Sequence, residues 1–400
     1  MISWFKRMWN HSIIFKKDNE LTNAQKWGLG LFNLASVVIF WVMSSFLVSD
    51  LFESDIYRKP FLITYLNTAC FSFYIIPYLK FEKLSIKQFI SIVRKELNEK
   101  RIDIEAASYG SNDSDENVEQ TDTASSPLMN HTEIVEGETL ESNKNLDIGI
   151  LETIKLSLTF VALWFSANLV TNSSLSYTSV ASQTILSSTS SFFTLIVGFI
   201  YSVERINKSK IYGIILCFTG VLIVTNEDSA TSNPTNSTLM VFIGNMLALS
   251  GALIYGIYTI LLKAKTIIKN SHVERNLNAH LFFAFVGLFC LFLLWPIIII
   301  LHFTGIEEFA LPTDRHTLTL LLINMLITFV SDFCWCKAVI LTSPLTVTVG
   351  LSLTIPLAMV GDWIIKQFKF NWIYATGATI VTIGFLIINQ DEKNDHDRNL

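Results

Sequence analysis

Ten long apolar runs decide what this chain can fold into. A lipid bilayer has a hydrocarbon core of about 30 Å, which an α-helix crosses with roughly 20 mostly apolar residues. Runs of this kind follow one another along the chain and contain few charges, at 28–49, 61–79, 148–170, 178–201, 211–225, 239–262, 280–301, 318–341, 344–365 and 371–389. The sequence therefore predicts an all-α integral membrane protein with about ten transmembrane helices.

Composition excludes several other classes of protein. Hydrophobic residues make up 51% of the chain and charged residues 16%, which does not fit a large soluble enzyme. No basic stripe indicates a nucleic-acid partner, and no Walker-type loop indicates ATP hydrolysis. The histidines and cysteines lack the spacing of a metal or haem site. We therefore expect no enzyme activity, no cofactor and no bound metal.

The distribution of basic residues predicts the orientation in the membrane. With ten spans, 24 of the 29 Lys and Arg residues lie on the side that holds both termini. The exceptions are Arg58, Lys59, Arg315, Lys366 and Lys369. Because positively charged loops stay in the cytosol, both termini are predicted to be cytosolic.

The runs divide the chain into six segments. Residues 1–27 form a cytosolic segment, 28–79 hold helices 1 and 2, 148–225 hold helices 3 to 5, 239–389 hold helices 6 to 10, and 390–400 form a cytosolic tail. Residues 80–147 contain 15 of the 34 acidic residues and little apolar material. We expect this segment to be a largely disordered cytosolic loop; a phosphorylated regulatory loop is the alternative.

An internal repeat favours transport. Shifting the chain by 164 residues aligns helices 3 to 5 with helices 8 to 10 and gives ten identical pairs between Ala167 and Asn226. A repeat of five spans inserts the second time in the opposite sense, as in many secondary transporters. The shift also pairs Gly213 with Gly377 and Gly220 with Gly384. Each pair of glycines within one helix is seven residues apart, which predicts close helix packing, within one chain or in a homodimer.

Asp332 is the main candidate for a functional charge inside the membrane. It lies well within the eighth run, with Lys337 five residues further on, and the repeat places Asn168 opposite it. Ionisable groups inside a span are costly and usually functional. An internal salt bridge or a snorkelling lysine is the alternative interpretation.

Other polar and aromatic residues could line a solute site. Gln183, Ser187 and Ser190 recur at helical spacing in the hydroxyl-rich fourth run, although tight packing of small residues would use the same pattern. Thr354 lies in the ninth run near two prolines that could free backbone carbonyls. Trp164 and Trp335 offer flat surfaces to an aromatic solute, although contact with lipid is the commoner use.

Two segments resemble a known family. WFSANLVTNSSLSYTSVASQTILSSTSSFFTL begins at Trp164, and SDFCWCKAVILTSPLTVTVGLSLTIPLAMVGD begins at Ser331. Both are similar to the drug/metabolite transporter superfamily (EamA-like), in particular to the orphan F branch of solute carrier family 35 and its fungal vacuolar or thiamine-repressible relatives. The resemblance implies two inverted five-helix repeats around a central cavity. Asp332 stands where many members of the branch carry Glu.

The combined expectation is a secondary-active transporter of a small polar organic solute, working by alternating access and coupled to protons through Asp332. The resemblance implies the vacuolar membrane, with Golgi and mitochondrion as alternatives. The alternative function is a membrane scaffold or receptor that acts through its cytosolic loop. Deleting 106–141 separates the two, because a transporter would keep its flux.

Overall fold

A computed structural model describes residues 22–53, 59–109, 147–174, 177, 186–229, 238–267, 275–354, 357 and 372–398. Within these residues every element is a helix, and a β-bridge joins Asp147 to Asn276. The all-helical class predicted from the apolar runs is therefore confirmed.

Thirteen α-helices are numbered here in chain order over the described part. They are α1 (Asn23–Glu53), α2 (Pro60–Ala69), α3 (Ile75–Phe81), α4 (Ile86–Tyr109), α5 (Ile150–Ser174), α6 (Ser190–Ile200), α7 (Lys208–Ser229), α8 (Thr238–Thr266), α9 (Ala279–Leu293), α10 (Trp295–Phe303), α11 (Arg315–Leu341), α12 (Pro344–Gly350) and α13 (Trp372–Arg398). Two 3₁₀ segments, Cys70–Tyr74 and Leu351–Leu353, connect α2 to α3 and extend α12.

Six helical stretches of the described chain are long and apolar enough to cross a membrane. They are Ala24–Ser44, Pro60–Phe81, Ile150–Thr171, Phe242–Thr266, Ala279–Phe303 and Arg315–Leu341. Shorter apolar helices cover Leu186–Ile200 and Pro344–Leu353. The chain is therefore a membrane protein with several spans, while the count of ten stays a prediction.

Three long helix pairs build the bundle. α1 packs along α11, α5 along α8, and α7 along α13. The main core of the bundle includes the aromatic residues Phe160, Phe282 and Trp335, which are fully buried between α5, α9 and α11. These pairs fix the positions of the helices that surround the cavity described below.

The predicted loop at 80–147 contains a helix. α4 covers Ile86–Tyr109, within the segment that its composition predicts to be largely disordered. Ser85 and Gln88 start the helix, because each side chain accepts a hydrogen bond from the backbone N–H of the other. Residues 110–146, which include most of the acidic tract, lie outside the described residues.

The four glycines of the repeat lie where α7 meets α13. A Cβ atom added to Gly220 would lie 2.8 Å from the carbonyl oxygen of Gly377, and one added to Gly384 would lie 2.8 Å from the carbonyl oxygen of Gly213. Both contacts are with backbone atoms. The two helices therefore approach each other more closely than any side chain would allow.

Replacing Gly220 with alanine is expected to lower stability by about 1–3 kcal/mol, because the added methyl group must push α13 away. The matched control is Gly28→Ala, since a Cβ atom at Gly28 meets nothing within 4 Å. The measurement is the melting temperature of each purified variant in detergent. Equal melting temperatures for Gly220→Ala and the unmodified protein would show that α13 can move aside without loss of stability.

A buried ion cluster holds one end of this helix pair. Lys210 Nζ, in the first turn of α7, lies 3.6 Å from Glu204 and 3.2 Å from Asp395, and it also contacts Glu392. The Glu204 carboxylate accepts a hydrogen bond from the backbone N–H of Leu345, at the start of α12. The cluster therefore ties the turn before α7 to both α12 and α13.

The charges in this cluster depend on one another. Burial, together with nearby Glu392, raises the pKa of Glu204 well above its usual range. Burial alone would lower the pKa of Lys210, but Glu392 and Glu204 outweigh it and raise that pKa above its ordinary value. Lys210 therefore stays charged, while the raised pKa of Glu204 favours protonation of its carboxylate on acidification.

Candidate functional site

A cavity of about 330 Å³ lies between α1, α5, α8, the start of α6 and the region of α12 and its 3₁₀ extension. This volume is at the lower end of the range for sites that hold small organic molecules. Helices from both halves of the chain contribute to its wall. A solute in this cavity would therefore contact elements on either side of the predicted repeat boundary.

Aromatic side chains form one part of the wall. Trp41, Trp164, Tyr255 and Tyr258 line the cavity. The ring of Tyr258 packs edge-to-face against Trp164 at 5.4 Å and against Tyr255 at 5.0 Å, measured between ring centroids. Such mutual packing holds the rings in fixed positions.

Hydroxyl and amide groups form the other part. They belong to Asn168, Thr171, Ser187, Ser188, Ser190, Thr348, Ser352 and Thr354. Among the described residues of the lining, no side chain carries a formal charge. The described wall is therefore uncharged, with aromatic and aliphatic surface beside these hydroxyl and amide groups.

Helix backbones satisfy several of these polar groups. The side-chain amide of Asn168 donates to the carbonyl of Trp164 at 2.8 Å, and the hydroxyl of Thr354 donates to that of Leu351 at 2.7 Å. The hydroxyls of Thr348 and buried Thr194 lie 3.3 Å apart, which links α12 to α6. Each hydroxyl or amide that donates to its helix can still accept a hydrogen bond from a solute.

Trp335 lies behind the wall and does not line the cavity. Its side chain is fully buried, and its indole N–H donates to the hydroxyl of Tyr255 at 3.0 Å. It also packs against Trp164, with ring centroids 5.8 Å apart. Trp335 therefore orients two wall residues from the neighbouring helix α11.

Asp332 lies on the same helix as Trp335 and is adjacent to Trp41 of the cavity wall. Its side chain is buried and lies beside the side chain of Trp41, which lines the cavity. The Oδ2 atom of Asp332 has no hydrogen-bond partner in the described part of the chain. A buried carboxylate with an unsatisfied oxygen is costly to keep. Asp332 is thus one side chain removed from the cavity.

The other predicted residues are distributed as follows. The structure brings Trp164, Asn168, Ser187, Ser190 and Thr354 together in the cavity wall. Lys337 is half-buried on α11 and is not among the lining residues. Gln183 lies outside the described residues.

Sequence reasoning did not single out Trp41, Tyr255, Tyr258 or Thr348. Trp41 and the two tyrosines stand in apolar runs, where they look like ordinary core residues. Thr348 could have been found from the sequence, because it is paired with Thr184 in one of the ten identities of the repeat. The repeat identities were thus a guide to residues of the cavity wall.

Comparisons with known proteins agree with the fold and with the two quoted segments. The family described as Solute carrier family 35 (SLC35F) matches residues 156–390. An uncharacterised vacuolar membrane protein of Saccharomyces cerevisiae is 47% identical, over 96% of this chain and 95% of its own. The thiamine-repressible mitochondrial transport protein THI74 of the same yeast is 37% identical, over 90% and 91%.

One solved crystal structure shares the architecture. It aligns with a TM-score of 0.56 at 10% identity and covers 93% of this chain and 99% of that one. At this identity the likeness concerns the fold alone. With a family match over more than half of its length and such similar relatives, the chain belongs to the F branch of solute carrier family 35 and is a membrane transporter.

Proposed function

We propose that this protein is a secondary-active transporter of a small, ring-bearing polar solute that lacks an anionic group, and that it resides in the vacuolar membrane. The cavity and the uncharged side chains of its described lining carry the proposal. The name of the 47% identical yeast relative supports the vacuole as location. Proton coupling through Asp332 and alternating access between inverted repeats are parts of the same proposal.

The helix contacts support two inverted repeats. Suppose that predicted spans 1 to 5 correspond to predicted spans 6 to 10. The contact between α5 (span 3) and α8 (span 6) then has its counterpart in the contact between α11 (span 8) and α1 (span 1). Both contacts are present, and both are among the most extensive in the bundle. The contact between α7 and α13 is its own counterpart, as expected for helices on a pseudo-twofold axis. Alternating access uses this kind of symmetry, because the two halves can exchange conformations.

The lining indicates the chemistry of the solute. Planar rings pack well against Trp41, Trp164 and the two tyrosines. Hydroxyl and amide groups of a solute can pair with Asn168 and with the serines and threonines. A phosphate or carboxylate would be buried without a cationic partner from the described lining, which is costly. The proposed solute therefore has a ring and hydrogen-bonding groups but no phosphate or carboxylate.

Comparing the contents of isolated vacuoles tests both transport and chemistry. The samples are vacuoles from cells with the unmodified protein, without it, with Trp164→Leu, and with Trp295→Leu as a matched control outside the cavity. We expect at least one ring-bearing, non-anionic metabolite to change several-fold without the protein and in Trp164→Leu, but not in Trp295→Leu. Unchanged contents would contradict transport, while a change confined to phosphorylated compounds would contradict the proposed chemistry.

A further inference from the structure

Helix α4 is attached to the bundle by one face. The ring of Phe89 contacts Tyr78 of α3 and Phe285 of α9, with centroids 5.7 Å and 6.5 Å apart. Further along the helix, the Glu96 carboxylate accepts a hydrogen bond of 3.1 Å from the backbone N–H of Leu151, at the start of α5. These contacts lie at the ends of membrane-spanning helices. They place α4 at the level where the bundle leaves the bilayer.

A second face of α4 carries apolar side chains that the bundle does not cover. Ile86, Ile90 and Leu97 are 65%, 45% and 50% exposed. They are four and seven residues apart, so they form one row along the helix. Ile92 and Ile102 are also exposed but lie off this row. Exposed apolar rows of this kind mark contact with a partner or a membrane.

Basic residues follow the apolar row along its whole length. Lys87, Arg94 and Arg101 are exposed, seven residues apart, and each lies on the helix surface next to the row. The side of α4 turned away from the row is polar and carries the exposed ion pair between Lys95 and Glu99, at 3.7 Å. Apolar, basic and polar strips thus succeed one another around the helix.

We propose that α4 lies in the membrane interface and binds anionic phospholipid headgroups. The apolar row enters the boundary between headgroups and acyl chains, and the flanking Lys87, Arg94 and Arg101 pair with lipid phosphates and carboxylates. The polar strip then faces water. Charge complementarity selects anionic lipid as the occupant, because the exposed row is bordered by cations along its length. The short connection from Phe81, the last residue of a span, holds α4 at this depth.

Hydrogen exchange of the full-length protein in lipid nanodiscs tests this proposal. One set of discs contains phosphatidylcholine alone, and the other contains added phosphatidylserine. We expect the backbone amides of α4 to exchange several-fold more slowly with phosphatidylserine. Neutralising one cation of the basic row should reduce this protection by up to about fivefold, the effect of one basic residue near an anionic surface.

Two neighbouring residues provide a matched pair of variants. Arg94→Gln changes the basic row, whereas Lys95→Gln changes the polar strip by the same charge. The proposal holds if Arg94→Gln reduces the protection by phosphatidylserine and Lys95→Gln does not. It is overturned if α4 exchanges equally in both lipids, or if the two variants have the same effect. This readout does not depend on solute transport, so it can fail while the transport proposal stands.

Discussion

Replacing Lys210 with methionine is expected to lower the stability of the folded protein by about 3–5 kcal/mol, the usual cost of removing one partner from a buried ion pair. Lys210 is 1% exposed and is the cation of a cluster with Glu204, Glu392 and Asp395. Without it, carboxylates that bury their charge among α7, α12 and α13 lose their compensating cation. The measurement is the melting temperature of the purified variant in detergent.

The control and the pH dependence distinguish this mechanism from a general loss of charge. Lys208→Met removes an exposed lysine from the same helical turn and should leave the melting temperature nearly unchanged. Acidification should reduce the difference in melting temperature between Lys210→Met and the unmodified protein. The reason is that protonation of Glu204, whose pKa is raised, removes a repelling charge from the variant. A difference that widens on acidification would contradict this account.

Asp332→Asn is expected to reduce proton-driven solute accumulation to background while leaving the fold intact. Asparagine has the same shape and still offers an oxygen to the side chain of Trp41, but it cannot exchange a proton. In the proposed mechanism, protonation of Asp332 changes how Trp41 is held and thereby alters the cavity wall. The effect is therefore expected on coupling rather than on expression.

Proteoliposomes with an imposed pH gradient provide the measurement, using the solute identified from vacuoles. Downhill exchange without a gradient should persist in Asp332→Asn, and its melting temperature should match that of the unmodified protein. Lys337→Met should also impair accumulation if the two residues act together, and its melting temperature shows whether the fold is the cause. Accumulation by Asp332→Asn at the unmodified rate would make Asp332 a structural residue and end the proton-coupling hypothesis.

Six of the predicted spans coincide with helices long and apolar enough to cross a membrane. They were predictable from the sequence because crossing a bilayer imposes a local requirement of length and polarity. The orientation of side chains within a span has no such local signal. Trp164 and Trp335 look equivalent in the sequence, but the first lines the cavity and the second lies behind Tyr255. Which side of α11 faces α8 is decided by packing between distant segments, and composition does not record that choice.

Helix α4 was missed for a different reason. Its many charged residues and the acidic tract that follows share a composition that is typical of disordered segments. The local signals of a helix were present, in the Ser85 and Gln88 cap and in the row of Ile86, Ile90 and Leu97. An average over 80–147 concealed them, because the acidic residues that follow α4 lower the apolar content of the whole segment.

The contact between α7 and α13 has a consequence for how the proposed transporter would move. At Gly220 and Gly384 each backbone abuts the other helix so closely that a shift along the axis would press neighbouring side chains into it. Lys210 fastens one end of the same pair to Glu392 and Asp395. In the proposed alternation these two helices consequently keep their positions relative to each other. The two halves of the bundle then tilt about the axis that the two helices form.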